Sequence, residues 1–269
     1  MNKKQERKKV IAIIQARLGS KRLPGKVLKK VLGKSLIEWI YYRLTFAKEI
    51  DGIVLATADT AENDPIVEEA KHIGLLYYRG SESDLISRYY GAAKEWNADA
   101  VVRICGDCPF VDPEVVDKLV SEYRKKSDNV DFVCNNTPPS YPHGMDVEVI
   151  PTKTLQKLDI EVDDPLYREW LTMNIVEHKE KYTIVNIEHE KNMRDMRLTV
   201  DYVEDFELTE KIMEKLHTPG SIFHLRDIEE LFIQQPTLRS INKKWVSTDI
   251  LDKVRKNKEF QDLKGKNNV

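Results

Sequence analysis

The feature that most constrains this chain is a repeated alternation of apolar runs of strand length with segments of helical spacing. "VIAIIQA" (10–16), "GIVLATA" (52–58), "GLLYYRG" (74–80) and "DAVVRICGD" (99–107) are the runs. They are followed in turn by "SLIEWIYYRLTFAK", "DPIVEEAKHI", "SDLISRYYGAAKEW" and "DPEVVDKLVSEYRKK". Near-continuous apolar runs suit strands covered on both faces, and strand–helix alternation requires right-handed crossovers and a mostly parallel sheet. The expected class is therefore α/β, a Rossmann-like sheet flanked by helices. Ser35 with Glu38 three residues later reads as a capping box for the first helix.

After residue 130 the rhythm changes. "NVDFVCNN" and "GMDVEVIP" read as strands separated by the Pro-rich loop "TPPSYPH"; "DDPLYREWLTMNIVEH" reads as one helix and "YTIVNIE" as a further strand. Two strands with a long loop between them predict a β-containing extension of the core, at about 136–196, suited to a dimer contact. "MRLTVD" then reads as a returning strand, followed by the helices "VEDFELTEKIMEKL" and "FHLRDIEELFIQQ". The expected organisation is a single domain over 1–242 with a Lys-rich tail at 243–269, and a polar stretch of about ten residues at the start.

A net charge of −2 excludes a general nucleic-acid footprint, and no apolar run reaches membrane-span length, so a cytoplasmic protein is expected. Within that near-neutral chain, Arg17 to Lys30 carries six cations and no acid. This run includes "GSKRLPGK", which fails as a Walker A loop: five residues rather than four separate Gly19 from Gly25, and Val27 follows Lys26 where Ser or Thr would hold a metal. A solvated basic face is one reading of it. The other is a polyphosphate loop, because it leaves the end of a strand, where ligands of open parallel sheets bind, with glycines that allow backbone N–H groups close to an anion.

Three further signals fall at strand ends. Asp107 closes "RICGD" and Asp201 closes "RLTVD"; each alone could be a helix cap, but two carboxylates facing a phosphate loop are what a magnesium ion bound through substrate phosphates requires. Asp146 and Glu148 stand two apart in "HGMDVEVI" and so share a strand face, either defending an edge with charge or accepting hydrogen bonds from a second substrate. Cys105 and Cys108 form a CxxC, but there are only three cysteines and no second ligand pair, so two small buried side chains bracketing Gly106-Asp107 are expected rather than zinc or redox chemistry. The six histidines show no metal spacing and no GxSxG elbow occurs, which leaves hydrolase readings without a nucleophile.

Taken in order, "IIQARLGSKRLPGKVL", "LATAD", "RICGDCPFVDPE" and "RLTVDYVEDFE" resemble the cytidylyltransferases that activate acidic sugars. "GSESDLISRYYGAA" and "YPHGMDVEVI" are similar to their spore-coat polysaccharide branch, over nearly all of residues 9 to 215. The chain departs from that branch at Arg168-Glu169-Trp170, where the third position is His in the branch. The resemblance implies CTP as donor, magnesium as cofactor, an acidic sugar acceptor of the 2-keto-3-deoxy or nonulosonic type, and a homodimer. It implies Arg17, Gly19, Ser20, Arg22 and Lys26 at the triphosphate, Gln15 and Ala16 at the base, Ser81 and Asp84 of the "GSESD" turn beside the cytidine, and Arg103 in the same nucleotide site. Asp107 and Asp201 become the metal ligands, and Asp146, Glu148 and Arg168 the acceptor groups. The alternatives are a nucleotidyltransferase acting on a phosphate- or phosphonate-bearing alcohol or on a sugar phosphate, a glycosyltransferase on the same fold, for which an Asp-x-Asp motif is missing, and a non-catalytic nucleotide-binding dimer.

Overall fold

In the computed structural model, residues 7–127 and 129–246 are described. The end of the Lys-rich tail, 247–269, and the first six residues lie outside them. The strands are β1 (Val10–Gln15), β2 (Lys30–Val31), β3 (Lys34–Ser35), β4 (Gly52–Ala58), β5 (Leu76–Gly80), β6 (Ala100–Cys105), β7 (Phe132–Cys134), β8 (Glu148–Pro151) and β9 (Ile184–Asn186). The α-helices are α1 (Leu36–Leu44), α2 (Asp64–His72), α3 (Leu85–Glu95), α4 (Pro113–Lys126), α5 (Thr152–Glu161), α6 (Pro165–Glu169), α7 (Met173–Glu177), α8 (Val203–Leu216) and α9 (Leu225–Gln234).

Seven strands form one sheet in the order β5-β4-β1-β6-β8-β7-β9, and β2 and β3 make a separate ribbon. β5, β4, β1 and β6 are mutually parallel, as the alternating pattern requires. β8 runs antiparallel to both β6 and β7, and β9 is parallel to β7. The segment expected as an extension thus lengthens the same sheet. Alternate residues of β1 serve both faces: Val10, Ala12 and Ile14 pack with α1, α4, α8 and α9, whereas Ile11 and Ile13 pack with α3 and α5. Each of the Val and Ile side chains contributes roughly 1.5–3 kcal/mol of burial. This double coverage is the reason β1 shows no polar alternation.

Three expectations are corrected. "MRLTVD" is not a strand: Arg197 makes only an isolated bridge with His143, and the backbone is held by Leu198 N–H donating to His143 O (2.7 Å) and Val200 N–H donating to Asp107 O (2.8 Å). The place beside β6 is already filled by β8, so this segment crosses the sheet end instead. The helix expected over 163–178 is broken into α6 and α7, because Leu171 turns into the core on the α3 face while Trp170 packs against Leu166 and Met173. Ser35 does cap α1, accepting from Glu38 N (3.0 Å), but the Glu38 carboxylate pairs with Lys34 and does not close the box.

Candidate active site

The chain leaves β1 on one side of β6 and strand order reverses there: β4 and β5 extend one way, β6 the other. Such a reversal opens a crevice at the carboxyl ends of the strands. The basic loop following β1 is pinned at this point. Leu18 N–H donates to Asn63 Oδ1 (3.0 Å), and Leu23 and Val27 are buried beneath the loop. Gly25 takes φ 63°, the left-handed turn that lets the chain enter the short 3₁₀ turn Lys26–Leu28. The consequence is division of labour among the cations. Arg17 and Arg22 remain about half exposed (52% and 53% of side-chain area), while Lys26 points inward and is only 10% exposed.

Lys26 Nζ donates to Asp107 Oδ2 (2.6 Å) and to Asp201 Oδ1 (2.8 Å), and Arg22 Nη2 donates to the same Asp201 oxygen at 2.6 Å. Burial opposes charge on Lys26, but the two carboxylates outweigh it and raise its pKa, so it stays an ammonium ion. Burial likewise works against the Asp201 carboxylate, and Lys26, Arg22 and Arg197 reverse that effect and hold it far below the usual carboxylate range. Neither aspartate is a helix cap. Asp112 caps α4, accepting from Glu114 N, and Asp205 closes the capping box of α8.

The opposed carboxylates are set by the backbone. Gly106 N–H donates to Gln15 O (2.8 Å), and a Cβ at Gly106 would meet that oxygen at 2.8 Å, so only glycine lets the turn after β6 lie against β1. Thr199 Oγ1 donates to Asp107 O (3.2 Å), tying the crossing segment to this turn. Cys108 is buried, with Sγ 3.5 Å from Asp107 Oδ1 and 3.8 Å from Thr199 Oγ1; Cys105, expected to be buried too, is partly exposed. On the far side of Asp201, Arg197 Nη2 donates to Oδ2 (2.8 Å) and its Nε to Asp205 Oδ1 (2.9 Å). Asp205 Oδ2 in turn accepts from the N–H groups of Asp201 and Tyr202 (3.0 Å each). Sequence reasoning missed Arg197, Asp205 and His143, whose Nδ1 lies 2.9 Å from Arg197 Nη1. The i, i+4 spacing Arg197–Asp201–Asp205 was the available signal.

The other expected site residues fall into two groups. Gln15, at the end of β1, accepts through Oε1 from Tyr89 OH (3.2 Å) and Arg103 Nε (3.3 Å), and Arg103 Nη1 donates to Glu148 Oε2 (2.6 Å). Glu148 is buried, and its other oxygen accepts from Asn136 Nδ2 (3.0 Å) and Thr172 Oγ1 (3.2 Å). It is therefore engaged by three protein donors. Asp146 does not share its strand, because it precedes β8; its Oδ2 accepts from Gly144 N (3.3 Å) and the residue is partly exposed. The second group lies at the α3 end. Asp84 caps α3 through Ser87 N (2.9 Å), and its other oxygen accepts from Arg168 Nε (2.7 Å). Arg168 also donates to Asp159 O, Val162 O and Asp159 Oδ1, so its guanidinium is engaged within the protein on every nitrogen. Ser81 Oγ accepts from Asp84 N (3.1 Å), and Ser20 Oγ from Leu23 N (3.4 Å). Gly19 and Ala16 lie in the same loop, with Ala16 N–H donating to Ala56 O (3.2 Å).

The donor chemistry of Asp107 and Asp201 fits a hard divalent cation: two carboxylate oxygens converge on one positive centre, the Lys26 ammonium, at 2.6 and 2.8 Å. Among the described residues, one cluster of three ligand-type side chains occurs elsewhere, Asp112, Glu114 and His224. Its atoms already serve structure: Asp112 accepts from Leu225 N (2.7 Å), and Arg226 pairs with Glu114 (2.8 Å).

A crevice at a strand-order reversal, a glycine-containing basic loop and a pair of opposed carboxylates define a nucleotidyltransferase, and the sequence matches the cytidylyltransferase family over residues 11–225. The chain belongs to that family. It is 34% identical to an uncharacterised protein of Methanocaldococcus jannaschii over 87% of this chain and 94% of that one. It is 29% identical to the spore coat polysaccharide biosynthesis protein SpsF of Bacillus subtilis over 77% and 87% of the two chains. A cytidylyltransferase structure from Leptospira borgpetersenii superposes with TM-score 0.82 at 32% identity, covering 86% of this chain and 96% of that one. A CMP:2-keto-3-deoxy-manno-octonic acid synthetase complexed with CTP shares the fold at TM-score 0.59 and 18% identity, over 77% and 99% of the chains. No helix among the described residues is long and apolar enough to cross a membrane.

Proposed function

We propose that the protein transfers CMP from CTP to an acidic sugar of the 2-keto-3-deoxy or nonulosonic type, releasing pyrophosphate. The observation that carries this reading is the convergence of Lys26 and Arg22 with Asp107 and Asp201 at the mouth of the crevice. In this reading the stretch expected as a single domain, 1–242, acts as one catalytic domain in the cytoplasm, and the segment at about 136–196 supplies a homodimer contact.

The acceptor hydroxyl oxygen attacks the α-phosphorus in line and gives up its proton to a carboxylate of the site, a bond forms from that oxygen to phosphorus, and the bond from α-phosphorus to the bridging oxygen of pyrophosphate breaks. Arg17 and Arg22, both half exposed, receive the phosphate oxygens, with the backbone of Gly19 and Ser20 beside them. Two of the three ammonium donors of Lys26 go to the carboxylates, which leaves a third for a phosphate oxygen. Its raised pKa keeps it cationic while charge develops on the leaving group. A magnesium ion held by Asp107 and Asp201 with phosphate oxygens would neutralise further charge as a Lewis acid. Gln15, Ala16 and the Ser81–Asp84 turn border the base, with Gln15 oriented by Tyr89 and Arg103. On the acceptor side Asp146 offers a partly exposed carboxylate, while Glu148 is engaged by Arg103, Asn136 and Thr172, and Arg168 by Asp84, Asp159 and Val162.

A screen of sugar-acid acceptors with CTP, UTP, ATP and GTP in magnesium, read by pyrophosphate release, tests the proposal. Turnover with CTP well ahead of UTP is expected, since a buried group left unpaired by the wrong base costs about 1–3 kcal/mol. A preference for a purine nucleotide would overturn the cytidylyl assignment, and turnover only with phosphorylated alcohols would overturn the acceptor.

A further inference from the structure

Trp245 stacks flat on Tyr202, ring centroids 3.5 Å apart and planes 2° from parallel. Tyr202 follows Asp201 directly and carries the Arg22 guanidinium over its ring, 5.1 Å from the centroid. Trp245 Nε1 donates to Glu204 Oε2 (2.9 Å) in the first turn of α8, and Lys244 pairs with the same carboxylate at 2.6 Å. Three residues earlier, the buried Asn242 donates through Nδ2 to Asp205 Oδ1 (2.8 Å) and to Arg197 O (3.0 Å). Asp205 and Arg197 are the groups that hold the backbone and the carboxylate of Asp201. The residues at the boundary of the Lys-rich segment thus touch the site from behind at two points.

From this geometry we infer that Trp245 and Asn242 are positioning residues for nucleotide binding: Trp245 fixes Arg22 through Tyr202, and Asn242 fixes Asp201 through Arg197 and Asp205. The inference rests on the roles proposed above for Arg22 and Asp201. A purely solvated segment would have no reason to form a coplanar aromatic stack with a satisfied indole N–H. A ring that can tilt lets the guanidinium above it sample orientations that do not meet a phosphate, so losing the stack weakens binding without removing any group that touches substrate.

The test is CTP binding by isothermal titration together with pyrophosphate release, on the full chain carrying Trp245→Ala and Trp245→Phe. Binding and turnover by the wild-type chain decide the functional reading by themselves; comparison among variants decides this inference. Trp245→Ala is expected to weaken CTP binding about tenfold, with KM for CTP rising in step and a change in melting temperature of only a few degrees, and Trp245→Phe to recover most of the affinity because it keeps a flat face. Asn242→Ala is expected to raise the magnesium concentration for half-maximal turnover several-fold. If the Trp245→Ala chain does not fold, Trp245→Leu, with apolar bulk but no flat ring, is read in its place. Wild-type CTP affinity with Ala or Leu at this position, or a loss that Phe does not recover, would overturn the inference.

Discussion

Lys26 and Asp201 lie 175 positions apart in the chain and 2.8 Å apart in space, with the ammonium also 2.6 Å from Asp107. The two carboxylates therefore share one cation, and removing any member changes the other two. Asp107→Asn and Asp201→Asn are each expected to abolish most magnesium-dependent turnover, because on the proposed role each would delete one of two hard anionic ligands. Turnover titrated against magnesium checks this. Near-normal activity at limiting magnesium in either variant would show that the residue is no ligand.

Lys26→Ala is expected to lower kcat/KM by roughly 10² to 10³, as for loss of one preorganised stabiliser of developing charge. Lys29→Ala, whose side chain lies 5.6 Å over the Phe206 ring, should be almost silent. The Lys26→Ala substitution also leaves two like charges facing each other across a mostly buried site. The melting temperature of that variant should therefore rise more with added magnesium or manganese than that of the wild type. Equal kinetic effects at positions 26 and 29 would mean a diffuse basic surface.

The Asp84–Arg168 pair is expected to act chiefly as a clasp between α3 and α6. Arg168→Ala should destabilise the fold by about 1–3 kcal/mol, and Arg168→Lys should recover little, because one ammonium cannot reach the four acceptors now engaged. Urea unfolding of the two variants and of Asp84→Asn measures it. An unchanged midpoint with a raised acceptor KM would instead make Arg168 a substrate-contacting group.

Burial lowers the pKa of His143, helped by Arg197 and Arg194 and opposed by Asp146 and Asp201. The unfolded chain takes up this proton near pH 6.5 and the folded chain resists it. Stability from this residue is thus complete above about pH 6.5 and declines as pH falls toward the depressed folded value. His143→Gln, which keeps an acceptor for Arg197, should lose less melting temperature than the wild type when pH is lowered from about 7.5 to about 5.5. Parallel losses would assign the acid sensitivity to other groups.

The apolar alternation through residue 126 was sufficient to specify a parallel sheet, because a strand covered on both faces, such as β1, has no solvent face on which polar residues are needed. The run of cations and glycines at the end of β1 was legible for the same local reason, while its two readings, a solvated face and a polyphosphate loop, differ in what the cations meet in space. What the chain order could not reveal was that Asp201 follows an extended crossing and not a strand, since hydrogen bonds to His143 and Asp107, far away in sequence, hold that backbone. Nor could spacing disclose that Glu148 and Arg168 are engaged by neighbours contributed from other elements. Residue types and periodicity determine which face of each element is apolar and where charge accumulates. Which charges meet, and which are left for a substrate, was decided only when the sheet brought the ends of β1 and β6 and the segment before α8 to one crevice, because pairing is set by distances of a few ångströms between residues the sequence holds far apart.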